Sequence, residues 1–222
     1  MTSDSPIPSQ ASALAHLRPT LVAGLVALGL ANEALVARLL EYLALLERWN
    51  GAYNLTAIRD PAQMLTLHLL DSLSIAPFVR GRLADIGAGA GLPGIPLALA
   101  RPDLEVTCIE SNGKKVRFQR EVQRQLGLEN LHPVQARAED FRSERPFDCL
   151  VSRAFGSLAQ FVRVGGHLLA PGGRLLAMKG ADPIGEVAQL PAGWKLAATH
   201  ALTVPGLDAQ RHVLEIVRDA TT

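Results

Sequence analysis

Cysteine is nearly absent from this chain. Only Cys108 and Cys149 occur among 222 residues, each inside an apolar run (VTCIE and DCLVS). Neither stands at metal-ligand spacing, so two buried, reduced thiols are expected in place of a disulfide framework or a metal site. No apolar run approaches the ~18 residues that span a bilayer. The stretch Leu21–Leu30 is apolar, but no charged segment precedes it and no cleavage-like site follows at once. A secretory signal is therefore not expected. An excess of one charge is missing as well. Lys and Arg number 22 and Asp and Glu 21, for a formal net charge of +1. With no global basic field, a nucleic-acid partner would have to be gripped by a local patch. Internal repeats are absent too. A soluble, cytoplasmic protein with no metal and no membrane partner is the expectation.

What is present is apolar bulk. Hydrophobic residues make up 48% of the chain, enough to bury a core as one α/β domain with an extension or as two small domains. Residues 1–12 are rich in Ser, Pro and Gln, and disorder is expected there. From about Ala13 to Trp49 the pattern is helical. Leu39, Leu40, Leu43, Leu46 and Trp49 recur at three and four and mark one buried face. Residues 50–60 read as a turn. Asp60-Pro61 looks like the N-cap and first residue of a helix through Leu65, Leu69 and Leu73, stopping near Pro77. The helical extension, 13–80, should give way to an α/β domain, 81–222, near residues 78–82.

Beyond Gly81 the texture changes to short apolar runs alternating with helical stretches. Strands are predicted at Leu83–Ile86, Glu105–Glu110, Leu131–Gln135, Phe147–Arg153, Arg174–Met178, Lys195–Leu202 and Val213–Arg218. Such alternation implies βαβ units and a mostly parallel sheet. The short link Val204–Gln210 predicts a hairpin, hence an antiparallel strand at the end of the sheet.

The segment 83–96 reads LADIGAGAGLPGIP. Gly87, Gly89 and Gly91 follow a strand and precede a helix, where glycine lets amides and a helix start approach a ligand closely. Gly89 to Gly94 also satisfies G-x-G-x-x-G, which alone would point to NAD or FAD. Asp85 argues otherwise. A carboxylate at the strand end would repel a pyrophosphate, but suits a cationic group such as the amino group of a methionine moiety. Pro93 removes an amide that a phosphate would use. Glu110, at the end of the next strand, suits ribose hydroxyls. Together these move the expected cofactor to S-adenosyl-L-methionine.

The span from Trp49 to His212 resembles the RsmG (GidB) family, bacterial methyltransferases acting on guanine N7 in 16S ribosomal RNA. The resemblance rests on RWNGAYNLTAIRDP (48–61), HLLDSL (68–73), ADIGAGAGLPGIPLA (84–98), GKKVRFQREV (113–122), ARAEDF (136–141), FDCLVSRAF (147–155), AMKG (177–180) and RH (211–212), in that order. It implies a class I methyltransferase (Rossmann-like) α/β fold with a seven-stranded sheet and an N-terminal helical extension, and a monomer. Carried over by motif, the cofactor contacts are Gly87, Gly89, Gly91 and Leu92, with Ala138 and Glu139 flanking the adenine and Arg153 at the meeting of cofactor and target.

Guanine N7 already carries a free lone pair, so methylation needs positioning and electrostatics more than a general base. The sequence agrees. It has no Ser-His-Asp elbow and no Pro-Cys motif. Ser152-Arg153-Ala154-Phe155 stands where exocyclic-amine methyltransferases carry an Asn/Asp-Pro-Pro-aromatic motif. The catalytic candidates are Arg153, His68 and Lys179. Arg153 is suited to orient the guanine through its O6 acceptor, or else to a salt bridge with Asp85 or Glu139. Lys179 is placed for a phosphate, Phe155 for stacking or the core, and His68 with Asp71 either for a structural pair or for substrate contact. Candidate RNA contacts are Arg211, with His212 beside it, and Arg137, Lys114 and Arg117. The last two belong to a basic stripe with Lys115, Arg120 and Arg124, backed by an apolar face of Phe118, Val122 and Leu126 turned to the sheet. The target should be an exposed or splayed-out guanine of 16S rRNA or the 30S subunit. The alternatives are the same fold acting on another RNA or a small molecule, and an RNA-binding assembly factor without activity.

Overall fold

The computed structural model describes residues 14–153, 156–180 and 184–219; the disorder expected of residues 1–12 and the role expected of Phe155 fall outside them. After a short 3-10 turn, Ala15–Leu17, the described residues form two helices, α1 (Arg18–Ala27) and α2 (Glu33–Tyr53). They are separated where the sequence reads as one helical run, because Gly29 takes a positive φ of 69° and Asn32 starts a new helix by capping Leu35 N at 3.2 Å. α2 also runs past Trp49. Asn50 and Gly51, read as turn formers, are helical, and the helix ends when Asn54 adopts the left-handed conformation at φ 52°.

Helix α3 covers residues 61–73. Asp60 caps it by accepting from the Ala62 and Gln63 amides, as the sequence predicts. Its middle, Leu65–Leu70, is wound as a π-helix between α-helical Pro61–Met64 and Asp71–Leu73. Such wide turns occur mostly as short insertions, often at functional sites. Here the turn carries His68 and immediately precedes Asp71.

Among the described residues there are seven strands, β1 (Arg82–Ile86), β2 (Glu105–Glu110), β3 (Leu131–Gln135), β4 (Phe147–Arg153), β5 (Leu169–Lys179), β6 (Trp194–Leu202) and β7 (Arg211–Arg218). They form one sheet in the order β3-β2-β1-β4-β5-β7-β6, with β7 antiparallel to both neighbours. The hairpin is as expected, but its antiparallel strand lies inside the sheet and β6 takes the edge. Helices α4 (Gly94–Ala100), α5 (Gly113–Leu126), α6 (Leu158–Gly165) and the short α7 (Ile184–Val187) connect the strands.

Strand residues alternate between two cores. Leu83, Val106, Cys108, Val151 and Leu176 face one core, which also holds the apolar faces of α1, α2, α3 and α5. Ala84, Ile86, Leu150, Leu175 and Leu214 face the other, beneath α6. The N-terminal helices therefore share a core with the sheet. Helix α5 packs on α2 as well as on the sheet, with Phe118 against Tyr42 and Trp49. Both cysteines are buried and unpaired, and burial pushes their thiols up, that of Cys149 to about 11. Among the described residues no helix is long and apolar enough to cross a membrane. Chain order reverses between β1 and β4, which opens a crevice at the carboxyl ends of the central strands, the usual ligand position in such sheets.

Candidate active site

The turn after β1 is shaped by three glycines with positive φ: Gly87 at 70°, Gly89 at 59° and Gly91 at 84°. Side-chain-bearing residues avoid that region for steric reasons. Four side chains fix the turn from outside. Glu110 Oε2 accepts from Gly89 N at 2.9 Å, and Gln119 Nε2 donates to Gly89 O at 2.8 Å. Tyr42 Oη donates to Ala90 O at 2.9 Å, and Asp85 Oδ2 accepts from Gly94 N at 2.8 Å. A side chain on Gly94 would strike Cys108 Sγ at 2.6 Å, so this last glycine serves packing. Among the described residues nothing lies nearer to a Cβ built on Gly89 than Lys115 Nζ at 3.9 Å, so the space above it is open to them. Gly87 is exposed. The loop is thus held rigidly at its back and open at its front, as a ligand cradle requires.

In front of it lies a cleft of about 710 Å³, within the usual range for small-molecule sites. Ala88, Gly89, Ala90 and Leu92 wall one side. Leu55 and Thr56 of the loop after α2 and His68 and Asp71 of α3 form the roof, and Arg153, Lys179, Arg211 and His212 close the far side. Its charged centre is Asp71, which is 4% exposed. One carboxylate oxygen faces Arg153 Nη1 at 3.3 Å and the other faces Arg211 Nε at 3.1 Å. Arg153 also donates to Leu67 O at 2.7 Å and to His68 Nδ1 at 3.3 Å. His68 Nδ1 also lies 3.1 Å from Leu67 O, and Nε2 lies 2.8 Å from Thr56 Oγ1, so the ring is held at both nitrogens. Burial and the neighbouring Arg153 depress the imidazole to about 4, and His68 is neutral at physiological pH.

The residue pattern singled out from the sequence matches a known family. A model described as "GidB: rRNA small subunit methyltransferase G" covers residues 35–214. A ribosomal RNA small subunit methyltransferase G of Stenotrophomonas maltophilia is 55% identical over 215 residues, 96% of this chain and 98% of its own length. This chain belongs to the GidB family. A Xanthomonas campestris relative of the same description is 53% identical over 206 residues, 90% of this chain and 97% of its own. The fold of this GidB chain is also that of solved methyltransferases. Glycopeptide N-methyltransferase MtfA complexed with S-adenosyl-L-homocysteine aligns at a TM-score of 0.59 and 14% identity, over 68% of this chain and 87% of that one. TrmN from Thermus thermophilus aligns at 0.53 and 20% identity, over 78% and 53%.

Several sequence-predicted residues of this GidB chain take unexpected partners. Arg153 pairs with Asp71, not with Asp85 or Glu139, because α3 folds over the end of β4. Asp71, read as a partner of His68, instead bridges two arginines. Arg211 is anchored by that same carboxylate rather than left to solvent. Lys179 contacts Glu186 Oε2 at 3.0 Å and Gly156 O at 3.0 Å, so a phosphate there would compete with a carboxylate. Asp85 is wholly buried and holds Gly94 N; the open ligand contact expected of it is replaced by a latch beneath the turn. Its Oδ1 has no hydrogen-bond partner among the described residues. Burial raises this carboxyl to about 7, against the lowering effects of the Gly94 N–H and Arg153.

The adenine-side candidates stand apart from the cleft. Glu110 receives Gly89 N and Asn112 N, and Ala136 N donates to Glu110 O at 3.1 Å, which sets the loop carrying Ala138 and Glu139 beside it. Ala138 is buried and Glu139 exposed. Arg137, Lys114 and Arg117 are exposed, with no ion pair among the described residues. Tyr42 and Gln119 were missed. A tyrosine within the apolar stripe of α2 was the available signal, since a buried phenol needs a polar partner. Asn50 was missed too; its amide holds Thr56 N and Ile58 O and so fixes the roof of the cleft.

The shifts of His68 and Asp85 oppose each other in stability. The His68 contribution is present above pH 6.5 and is lost as pH falls toward 4, since the native imidazole resists protonation. The Asp85 contribution runs the other way, greatest at low pH and lost as pH rises through about 7. His68→Asn removes only the first. Its destabilisation relative to wild type should grow by up to roughly 3 kcal/mol between pH 4 and 6.5 and then level off. Urea unfolding at several pH values checks this; a gap that does not change with pH would contradict the buried neutral imidazole.

Proposed function

We propose that this chain methylates N7 of one guanine in a loop of 16S rRNA, in the decoding region of the small subunit, working as a cytoplasmic monomer. Family membership already makes it an rRNA methyltransferase of the small subunit with S-adenosyl-L-methionine as methyl donor; the nucleotide, the atom, the oligomeric state and the location are the proposed part. We read residues 81–222 as the methyltransferase domain and residues 13–80 as the helical extension that roofs its acceptor side. The observation that carries the reading is that the glycine turn and the Arg153–Asp71–Arg211 cluster wall a single cleft.

The residues present fit the cofactor. Gly87, Gly89, Gly91 and Leu92 would cradle it, Glu110 would meet the ribose hydroxyls, and Ala138 and Glu139 would flank the adenine. Bound there, S-adenosyl-L-methionine supplies a methyl group activated by its sulfonium.

The chain's own residues then position the acceptor. Arg153 or Arg211 donates to the guanine O6, beside N7. Neutral His68 and buried Asp71 hold Arg153 in one orientation. No group need remove a proton, and the depressed imidazole is consistent with that. Two bare arginines would oppose the positive charge that develops on N7. With Asp71 between them the cluster carries a net +1, which lessens the opposition. Arg137, Lys114 and Arg117 offer unpaired cations to the phosphate backbone.

The test is transfer of labelled methyl to small subunits or 16S rRNA lacking the modification, with the modified base mapped. Methylation at a position other than guanine N7, or none in any assembly state, would sink the reading. Arg211→Ala should lower methyl transfer about tenfold while changing affinity for S-adenosyl-L-homocysteine less than twofold. The reverse pattern would move Arg211 into the cofactor site.

A further inference from the structure

We infer that the ring of Tyr53, backed by Trp49 and flanked by the cationic start of α5, is a stacking platform for an unpaired rRNA base adjacent to the target nucleotide. The inference rests on rRNA being the substrate and adds a second point of contact outside the catalytic cleft.

Tyr53 is 42% exposed, and among the described residues only Val26 is another exposed large hydrophobic. A lone exposed apolar side chain means little. This one differs in its backing. Its ring lies 5.2 Å from that of Trp49 at 32°, and Trp49 lies 5.6 Å from the fully buried Phe118. A file of aromatic rings thus leads from the core to the surface and ends in a face held in place from behind. Such a face offers a base a large contact at small cost in side-chain entropy.

Charge complementarity names the occupant. Arg38 of α2 donates to Leu126 O at the end of α5, whereas Trp49 meets Phe118 nearer its start. The two helices therefore run antiparallel. Helix periodicity places Tyr53 one turn beyond Trp49 on one helix and Lys114 one turn before Phe118 on the other, both toward the same end of the antiparallel pair. Lys114 and Arg117 are exposed and carry no ion pair among the described residues, and the only acid on α5, Glu121, is taken by Arg124 at 2.8 Å. An aromatic face beside unpaired cations suits a base and its phosphates. The platform also adjoins the cleft, since Leu55 and Thr56, just beyond Tyr53, line its roof. A base stacked there would hold the strand while its neighbour enters the cleft.

The test uses the full chain and small subunits that lack the modification. Tyr53→Ala should raise KM for subunits roughly tenfold and leave kcat and S-adenosyl-L-homocysteine affinity unchanged. Tyr53→Phe, which keeps the ring, should stay within about twofold of wild type. Lys114→Ala should lower the slope of log affinity against log salt by about 1, while Tyr53→Ala should leave that slope alone. The platform is overturned if Tyr53→Ala keeps the wild-type KM, or if Tyr53→Phe loses as much as Tyr53→Ala. Failure of the wild-type chain to methylate rRNA would remove the platform and the proposed function together. Methylation by wild type with an unaffected Tyr53→Ala removes the platform alone.

Discussion

Gly87→Val will abolish cofactor binding in a protein that still folds. Gly87 sits at φ 70° and donates its amide to Ile109 O at 2.9 Å, so its conformation is fixed by the strand beside it. A side chain in the left-handed region costs roughly 1–2 kcal/mol. That is a fraction of the 5–15 kcal/mol typical of a domain, and the native state should persist. Binding has no such reserve. The residue is exposed at the mouth of the turn, and a branched side chain there occupies the space into which a ligand's atoms would come. Affinity for S-adenosyl-L-homocysteine, measured by calorimetry, should fall at least about a hundredfold, or roughly 2.8 kcal/mol. Circular dichroism should show the native helix and strand content. Wild-type affinity in a folded variant would mean that the cofactor does not sit on this turn.

This turn could be read from the sequence because its determinants are local. Positive φ demands glycine, the strand before it is a short apolar run, and the next strand ends in an acid. The strands were legible for the same reason: each is a brief apolar segment bounded by polar residues or glycine. Asn50-Gly51 misled because the pair usually marks a turn. Here the helix continues through both, and the Asn50 side chain instead fastens the loop that follows. The π-helical turn in α3 was invisible because leucines four apart, at 65, 69 and 73, look like an ordinary α-helix. The centre of the cleft was the least legible part. Asp71 lies 82 residues from Arg153 and 140 from Arg211. No spacing rule reaches that far, and the pairing exists only because α3 folds across the ends of β4 and β7. Motifs brought each residue to notice, but not who holds whom.

That arrangement makes Asp71 a positioning residue, and its removal carries the second large effect. Asp71→Ala leaves two guanidiniums side by side with no other carboxylate paired to either among the described residues. Stripping one partner from a buried pair costs about 3–5 kcal/mol; because the arginine side chains are 20% and 26% exposed, the cost here should be nearer 2 kcal/mol. The catalytic consequence is larger than the loss of stability. Freed from Asp71, Arg153 and Arg211 repel each other and lose their fixed aim at the base, and a misplacement of about 1 Å is enough to lower turnover a hundredfold. Single-turnover methyl transfer to small subunits should therefore fall about a hundredfold, with S-adenosyl-L-homocysteine affinity within about threefold of wild type. Asp71→Asn keeps the shape and one acceptor oxygen, so it should fall only about tenfold and stay closer to wild-type stability. A protein of lowered melting temperature but unchanged turnover would reduce Asp71 to a structural tie. Loss of cofactor affinity in step with turnover would place it on the cofactor side of the cleft.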